Sequence, residues 1–306
     1  MRRHDVRFDS HGTSCAAWLY RPEGTRSRAP CVVLAHGFSG VRDQRLDAFA
    51  ERFARAGLAA LVFDYRHFGG SDGAPRQLVD LARQLEDWRA AVAFARSLEG
   101  VDPARIAAWG GSLSGGHVMI VAARDRQLAA AVAQVPFADG LVSLPSLGLR
   151  QTLRLVREGL RDQLRALRGR PPHLIPVVGP AGTLRVLSAP SAATGFRAIT
   201  PSESAWRNEV AARVALHLAT YRPARQAKRI ASPMLLCLAD HDDLTAPGPA
   251  LKAAGRAPRA EVRRYPCGHF DLYVGAGFER TVGDQTEFLT RHLLVRGRAD
   301  RPVTAR

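Results

Sequence analysis

The sequence predicts an α/β fold: a mostly parallel β-sheet covered by helices on both faces. Short apolar runs recur along the chain and are mostly continuous, not alternating, as strands buried on both sides must be. Stretches with helical periodicity lie between them, so strand and helix alternate. One run opens directly into a glycine-rich turn, the kind of connection found at the edge of a parallel sheet where ligands bind.

Taken in order, the first strand candidate is CAAWLY at 15–20, followed by CVVLAH at 31–36, which ends in His36-Gly37. Leu46, Phe49, Ala50 and Phe53 then recur at three- and four-residue steps, with Gly57 as a C-terminal stop. LAALVF at 58–63 is the next strand. A second stripe runs through Leu78, Leu81, Leu85, Trp88, Val92 and Ala95 and is closed by Gly100 and Pro103. RIAAW at 105–109 leads into GGSLSGGH, and AVAQV at 131–135 follows.

The rhythm breaks between about 138 and 226. Two leucine- and arginine-rich helical stretches, 141–168 and 202–221, flank a segment holding Pro171, Pro172, Pro176, Pro180, Pro190 and Pro201. An irregular stretch of this length inside a compact domain usually serves function. It is read as a cap over the C-terminal edge of the sheet, which PMLLCLA at 233–239 and AEVRRY at 260–265 then resume. The expected plan is a core of 1–137 and 227–296, a cap insertion at 138–226 and a polar tail at 297–306.

Composition bounds the partners. The 306 residues are 46% apolar and carry a formal charge of +16, with Lys228 and Lys252 the only lysines. The arginines are spread along the chain with acids between them and form no compact basic block, which argues against a nucleic-acid partner. No apolar run is long enough to span a bilayer, and MRRHDVRFDS lacks the apolar stretch of a secretory signal. A cytoplasmic protein with no membrane partner is expected, and a homodimer is left open. Cys15, Cys31, Cys237 and Cys267 are scattered without metal-ligand spacing and read as free thiols.

The stretch WGGSLSGGH holds two serines. A nucleophile at a sharp strand-to-helix turn needs small residues two places before and after it. Both registers satisfy this, but a strand ending at Trp109 puts Ser112 at the turn and Ser114 inside the helix. Ser112 is therefore the nucleophile candidate. A serine hydroxyl needs an adjacent base and a group to orient that base. His269, in YPCGHFDLY after the last strand, is the base candidate, whereas His117 on the following helix reads as a packing residue. LADHDDLTAP offers Asp240, Asp242 and Asp243 for the acid. The backbone N–H groups of Phe38, after His36-Gly37, and of Leu113 would supply two donors for a developing oxyanion. His36 itself reads as structural, and Asp64 and Arg66 of FDYRHFGGSDG as ties between loops.

With these pieces in the order Ser, Asp, His, the chain resembles the α/β-hydrolases. HGF, DYRHFGGS, WGGSLSGGH, the aspartate turn before Pro247 and GHF carry the resemblance, which covers nearly everything outside the insertion. The Ser-x-x-Gly elbow is similar to that of cocaine-esterase and X-prolyl-peptidase relatives. DYRHFGGSDGAPRQ and WGGSLSGGHV resemble dienelactone-hydrolase-like enzymes and fungal polyketide acyltransferases. Two departures stand out. Ser114 occupies a position that is usually glycine, and Ala239 replaces the glycine of the G-x-x-D acid turn. Counting from Ala239 carries the acid role to Asp242, with Asp243 as the alternative.

The resemblance implies a serine hydrolase that cleaves a carboxylic ester or related acyl bond of a small-molecule substrate, with no cofactor and no metal. An acyltransferase or lactone-forming enzyme is the nearest rival, and a ligand receptor without turnover the more distant one. Leu141, Val142, Leu144, Leu147, Phe196 and Trp206, with arginines among them, are the cap's candidates for contacting a medium-sized apolar acyl group, with or without an anionic end.

Overall fold

The computed structural model of the chain describes residues 2–24, 28–143 and 148–294; Leu144, Leu147 and the expected 297–306 tail lie outside the described residues. The chain opens with a hairpin of β1 (Arg2–Ser10) and β2 (Thr13–Arg21), followed by β3 (Ala29–Ala35), which is buried at every position. It continues through α1 (Leu46–Arg55), β4 (Ala59–Phe63), α2 (Leu81–Ser97), β5 (Val101–Gly111), α3 (Leu113–Arg124) and β6 (Ala130–Gln134). Between β6 and the next sheet strand lie α4 (Gly140–Ser143), α5 (Leu149–Leu167), β7 (Leu174–Ile175), α6 (Ala192–Ile199), β8 (Val210–Ala211) and α7 (Ala215–Leu218). The sheet then closes with β9 (Met234–Ala239), α8 (Pro247–Ala254), β10 (Ala260–Tyr265) and α9 (Gly275–Leu293).

The eight sheet strands run in the order β1-β2-β4-β3-β5-β6-β9-β10, and only the β1–β2 and β2–β4 pairings are antiparallel. Helices α1 and α9 cover one face, and α2, α3 and α8 the other. From β3 the chain steps outward to β4 and then returns to β5 on the other side. That reversal opens a crevice at the C-terminal ends of β3 and β5, where an open parallel sheet places its ligand.

Several elements differ from the sequence reading. β1 was not anticipated, because its charged residues face solvent on an edge strand and only Phe8 and Ser10 are buried. Leu78 precedes α2, which begins after Asp80; that side chain accepts from the Ala82 and Arg83 amides, an ordinary N-cap. Pro103 lies inside β5, and the strand runs two residues past Trp109. The 202–221 stretch forms no continuous helix: it consists of turns, β8, a 3₁₀ turn at Ala212–Val214 and α7. The proline-rich segment instead contains a helix, α6. Among the described residues no helix is long and apolar enough to cross a membrane.

The segment between β6 and β9 has its own buried charges. Asp162, on the inner face of α5, accepts from the Arg213 guanidinium at 2.6 and 3.1 Å, the Arg213 amide at 3.0 Å and the His173 amide at 2.6 Å. Burial alone would raise this carboxyl, but these donors hold it below the usual carboxylate range. Because the folded-state value is depressed, the stabilisation is present at neutral pH and is lost as pH falls through about 4 and below. Asp162→Ala, which leaves Arg213 unpaired, is expected to cost about 3–5 kcal/mol. The check is a lowered urea midpoint at neutral pH and a shallower loss of stability on acidification than in the parent.

Candidate active site

The turn that presents Ser112 follows from its neighbours. β5 ends in Gly110 and Gly111, and α3 begins at Leu113, so the chain reverses at one residue. Ser112 takes φ 55° and ψ −121°, strained for a non-glycine residue and held by hydrogen bonds on both sides. Its amide donates to the Gln134 carbonyl at 2.9 Å, and its carbonyl accepts from the Phe137 amide at 2.9 Å. A side chain on Gly110 would run into the Ser114 backbone, and one on Gly37 would sit 3.0 Å from the Ser112 Cβ. Ser114, in contrast, is fully buried in α3, and its Oγ lies 2.9 Å from the Tyr65 hydroxyl. Only Ser112 of the two serines lines the crevice.

His269 follows β10 at the start of a 3₁₀ turn and is almost completely buried. Its Nδ1 lies 2.7 Å from Asp242 Oδ2. Asp242 Oδ1 accepts from the Leu244 and Thr245 amides at 2.8 and 2.7 Å, and Thr245 Oγ1 is 2.8 Å from Oδ2. Burial pushes this carboxyl up, but the His269 charge and hydrogen bond, with the amide and hydroxyl hydrogen bonds from Thr245, bring it below its ordinary value. An acceptor-only carboxylate at Nδ1 fixes the proton there and leaves Nε2 as the basic nitrogen. Asp243 points elsewhere: it accepts from the amide and hydroxyl of Ser191, the residue before α6, at 3.0 and 2.5 Å. Asp240 pairs with Arg264 at 2.8 Å.

Phe38, in the loop after β3, lines the same crevice, and Leu113 is the first residue of α3, next to Ser112. Among the described residues neither of their amides is engaged by a protein acceptor. His36 is buried beneath the loop, with Nδ1 3.0 Å from the Gly37 carbonyl and its ring edge-on to Tyr65. Burial pushes its pKa down to about 4, so it is neutral at pH 7. Asp64 accepts from the Arg42 and Gly70 amides and ties two loops. Arg66 joins Asp87 and Ser10, linking α2 to β1. His117 is enclosed between Tyr221 and Gln84, and burial pushes it down to about 3.

The crevice is narrow and apolar. Leu187, Phe196 and Ile199 of the insertion line it together with Leu244, Phe270, Tyr273, Ser112 and His269, and Phe196 meets Phe270 edge to face. The space open to the centre of a water molecule is about 40 Å³, room for roughly three waters. No arginine or lysine is among its described lining residues. Of the expected cap contacts, Phe196 lines the crevice and Trp206 stacks behind it with ring centroids 5.1 Å apart. Leu141 and Val142 face outward on α4 and are about half exposed. The sequence reading missed Leu187 and Ile199 along with α6; the only signal was Phe196 and Ile199 one helical turn apart. Gln44 was also missed. Its amide nitrogen donates to Thr200 Oγ1 at 2.7 Å, so α6 is held by Asp243 at one end and Gln44 at the other.

A family model described as serine aminopeptidase, S33, matches residues 26–269. The chain is 46% identical over 287 residues, 94% of each protein, to the quorum-quenching protein AidA of Acinetobacter baumannii. It is 30% identical over 309 residues, 96% of this chain and 98% of the other, to the polyketide transferase ATR5 of Stachybotrys chlorohalonatus. Among solved structures it is similar to the α/β hydrolase GrgF from Penicillium sp. sh18, with a TM-score of 0.83 over 96% of this chain and 100% of that one. At 24% identity that likeness is one of fold.

Proposed function

The chain belongs to the α/β-hydrolase family, and from that premise we propose that it is a serine hydrolase opening a carboxylic ester or related acyl bond through an acyl-enzyme on Ser112. The observation that carries this reading is the strained Ser112 turn sharing one crevice with a His269 whose Nδ1 is held by a buried carboxylate. Ser112 Oγ attacks the acyl carbon while His269 Nε2 takes its proton. The tetrahedral oxyanion is held by the Phe38 and Leu113 amides, and His269 passes the proton to the leaving oxygen or sulfur. Water, deprotonated by the same nitrogen, then attacks the acyl-enzyme and releases the acid.

The lining favours a substrate with a neutral, medium-sized apolar acyl group. The relative named as a quorum-quenching protein supports a small signalling molecule carrying such a bond. A second reading, transfer of the acyl group to an alcohol or amine, is favoured by the narrow, largely apolar crevice and by the relative named as a polyketide transferase.

A panel of p-nitrophenyl esters of graded chain length tests the proposal. Medium chains are expected to be preferred over acetate, and Phe196→Ala to shift the preference toward longer chains, with selectivity changing by about ten- to a hundredfold in kcat/KM. Release of acid in preference to transfer to added butanol separates hydrolysis from the second reading. Failure of well-folded protein to turn over any ester and to react with a fluorophosphonate would sink both.

A further inference from the structure

Leu149, Leu153, Val156, Leu160, Leu164 and Leu167 recur along α5 at steps of three and four, and each is between 38% and 77% exposed. At 100° per residue they fall within an arc of about 80° on one face of the helix. The opposite face, with Leu155, Glu158, Gly159 and Asp162, is buried against the insertion. Exposed Arg150, Arg157, Arg161 and Arg168 run along one side of the apolar stripe. The six side chains expose on the order of 600 Å² of apolar surface, the upper end of what a monomer shows. That is most of the roughly 800 Å² per partner in a standard stable interface.

We propose that this face of α5 is the surface through which two copies of the chain associate about a twofold axis, helix against antiparallel helix. The spacing supports this partner. A twofold axis near Glu158 sets Leu149 opposite Leu167 of the second copy, Leu153 opposite Leu164, and Val156 opposite Leu160, so the stripe complements itself as an isologous contact requires. The same operation brings Arg150 near Arg168 of the second copy, and Arg157 near Arg161, on one rim of the contact; Arg157 and Arg161 are partly neutralised by Glu158 of their own chain. The association is therefore driven by apolar burial and opposed by like charge, and salt strengthens it by screening the two arginine rows. α5 also steadies the wall of the crevice: Gln151 donates to the Arg185 carbonyl at 2.6 Å and Arg154 to the Gly182 carbonyl at 3.1 Å, on the segment that leads to Leu187.

Sedimentation velocity on the full chain at low and high salt tests the proposal. The parent is expected at twice its 33.2 kDa mass, with a dissociation constant that falls as salt rises. Leu153→Asp with Leu160→Asp is expected to sediment as a monomer with an unchanged far-ultraviolet circular dichroism spectrum. Arg150→Glu, an exposed change that leaves the leucines intact, is expected to tighten association at low salt by facing Arg168 of the second copy, and to weaken the salt dependence. A parent that stays monomeric at both salts, or a double variant that stays dimeric, overturns the proposal. So does a monomeric parent that binds phosphatidylglycerol vesicles at low salt and leaves them at high salt, which would assign the face to an anionic membrane surface.

Discussion

Ser112→Ala is expected to lower kcat for p-nitrophenyl butyrate by about 10⁵–10⁶-fold, on the order of 7–8 kcal/mol, with little change in KM. Removing Oγ removes the atom that bonds to the acyl carbon, and the only other hydroxyl in the turn cannot replace it. Ser114 is fully buried inside α3 and engaged with Tyr65, whose own hydroxyl accepts from the Trp88 indole at 2.7 Å. Ser114→Ala breaks that buried hydrogen bond, which costs about 1 kcal/mol of stability, and leaves turnover within about tenfold of the parent. Mass spectrometry after fluorophosphonate treatment gives the second readout: one adduct on the parent and on Ser114→Ala, none on Ser112→Ala. The reverse pattern would move the reactive residue to Ser114 and refute attack by Ser112.

How far the sequence could take these arguments depended on whether the deciding interaction was local. The Ser112 turn was legible because its constraints lie within a few residues: Gly110 and Gly111 end the strand, the helix begins at Leu113, and of the two serines only Ser112 falls at the reversal. Asp242 and Asp243 could not be separated in the same way. Both precede Pro247 in a polar turn, and what distinguishes them is the tertiary partner of each, His269 for one and Ser191 for the other. β1 was illegible because an edge strand with one solvated face need not be apolar. α6 was hidden by its short length and proline-rich surroundings. Leu141 and Val142 were assigned to the crevice on apolarity alone, which does not say whether a face of a short helix turns inward. The exposed stripe of α5 shows the same limit from the other side: its periodicity marked a helix but gave no sign that the leucines lacked a partner within the chain.

Asp242→Asn is expected to reduce kcat by about 10⁴-fold, on the order of 5–6 kcal/mol, while Asp243→Asn changes it by no more than about tenfold. The size of the first effect follows from the hydrogen bonds around the carboxylate. Oδ1 accepts from two backbone amides, those of Leu244 and Thr245, so the carbonyl oxygen of an introduced asparagine must take that side. Its NH₂ group then replaces Oδ2, which faces His269 Nδ1 at 2.7 Å. A donor at that point forces the imidazole proton onto Nε2 and leaves no basic nitrogen toward Ser112. Asparagine fits the space, so the variant should fold, but with a lower melting temperature than the parent at neutral pH, where the ionised carboxylate contributes. Asp242 also stabilises the fold at neutral pH through its depressed pKa, and that contribution is lost as pH falls through the carboxylate range. The Asn variant should therefore lose less stability on acidification than the parent. Asp243 holds only the start of α6, so Asp243→Asn should act mainly through KM as the insertion loosens over the crevice. Steady-state kinetics of the two variants, with thermal melts at neutral and acid pH, decide the matter. A crippled Asp243→Asn beside an active Asp242→Asn would exchange the roles of the two carboxylates.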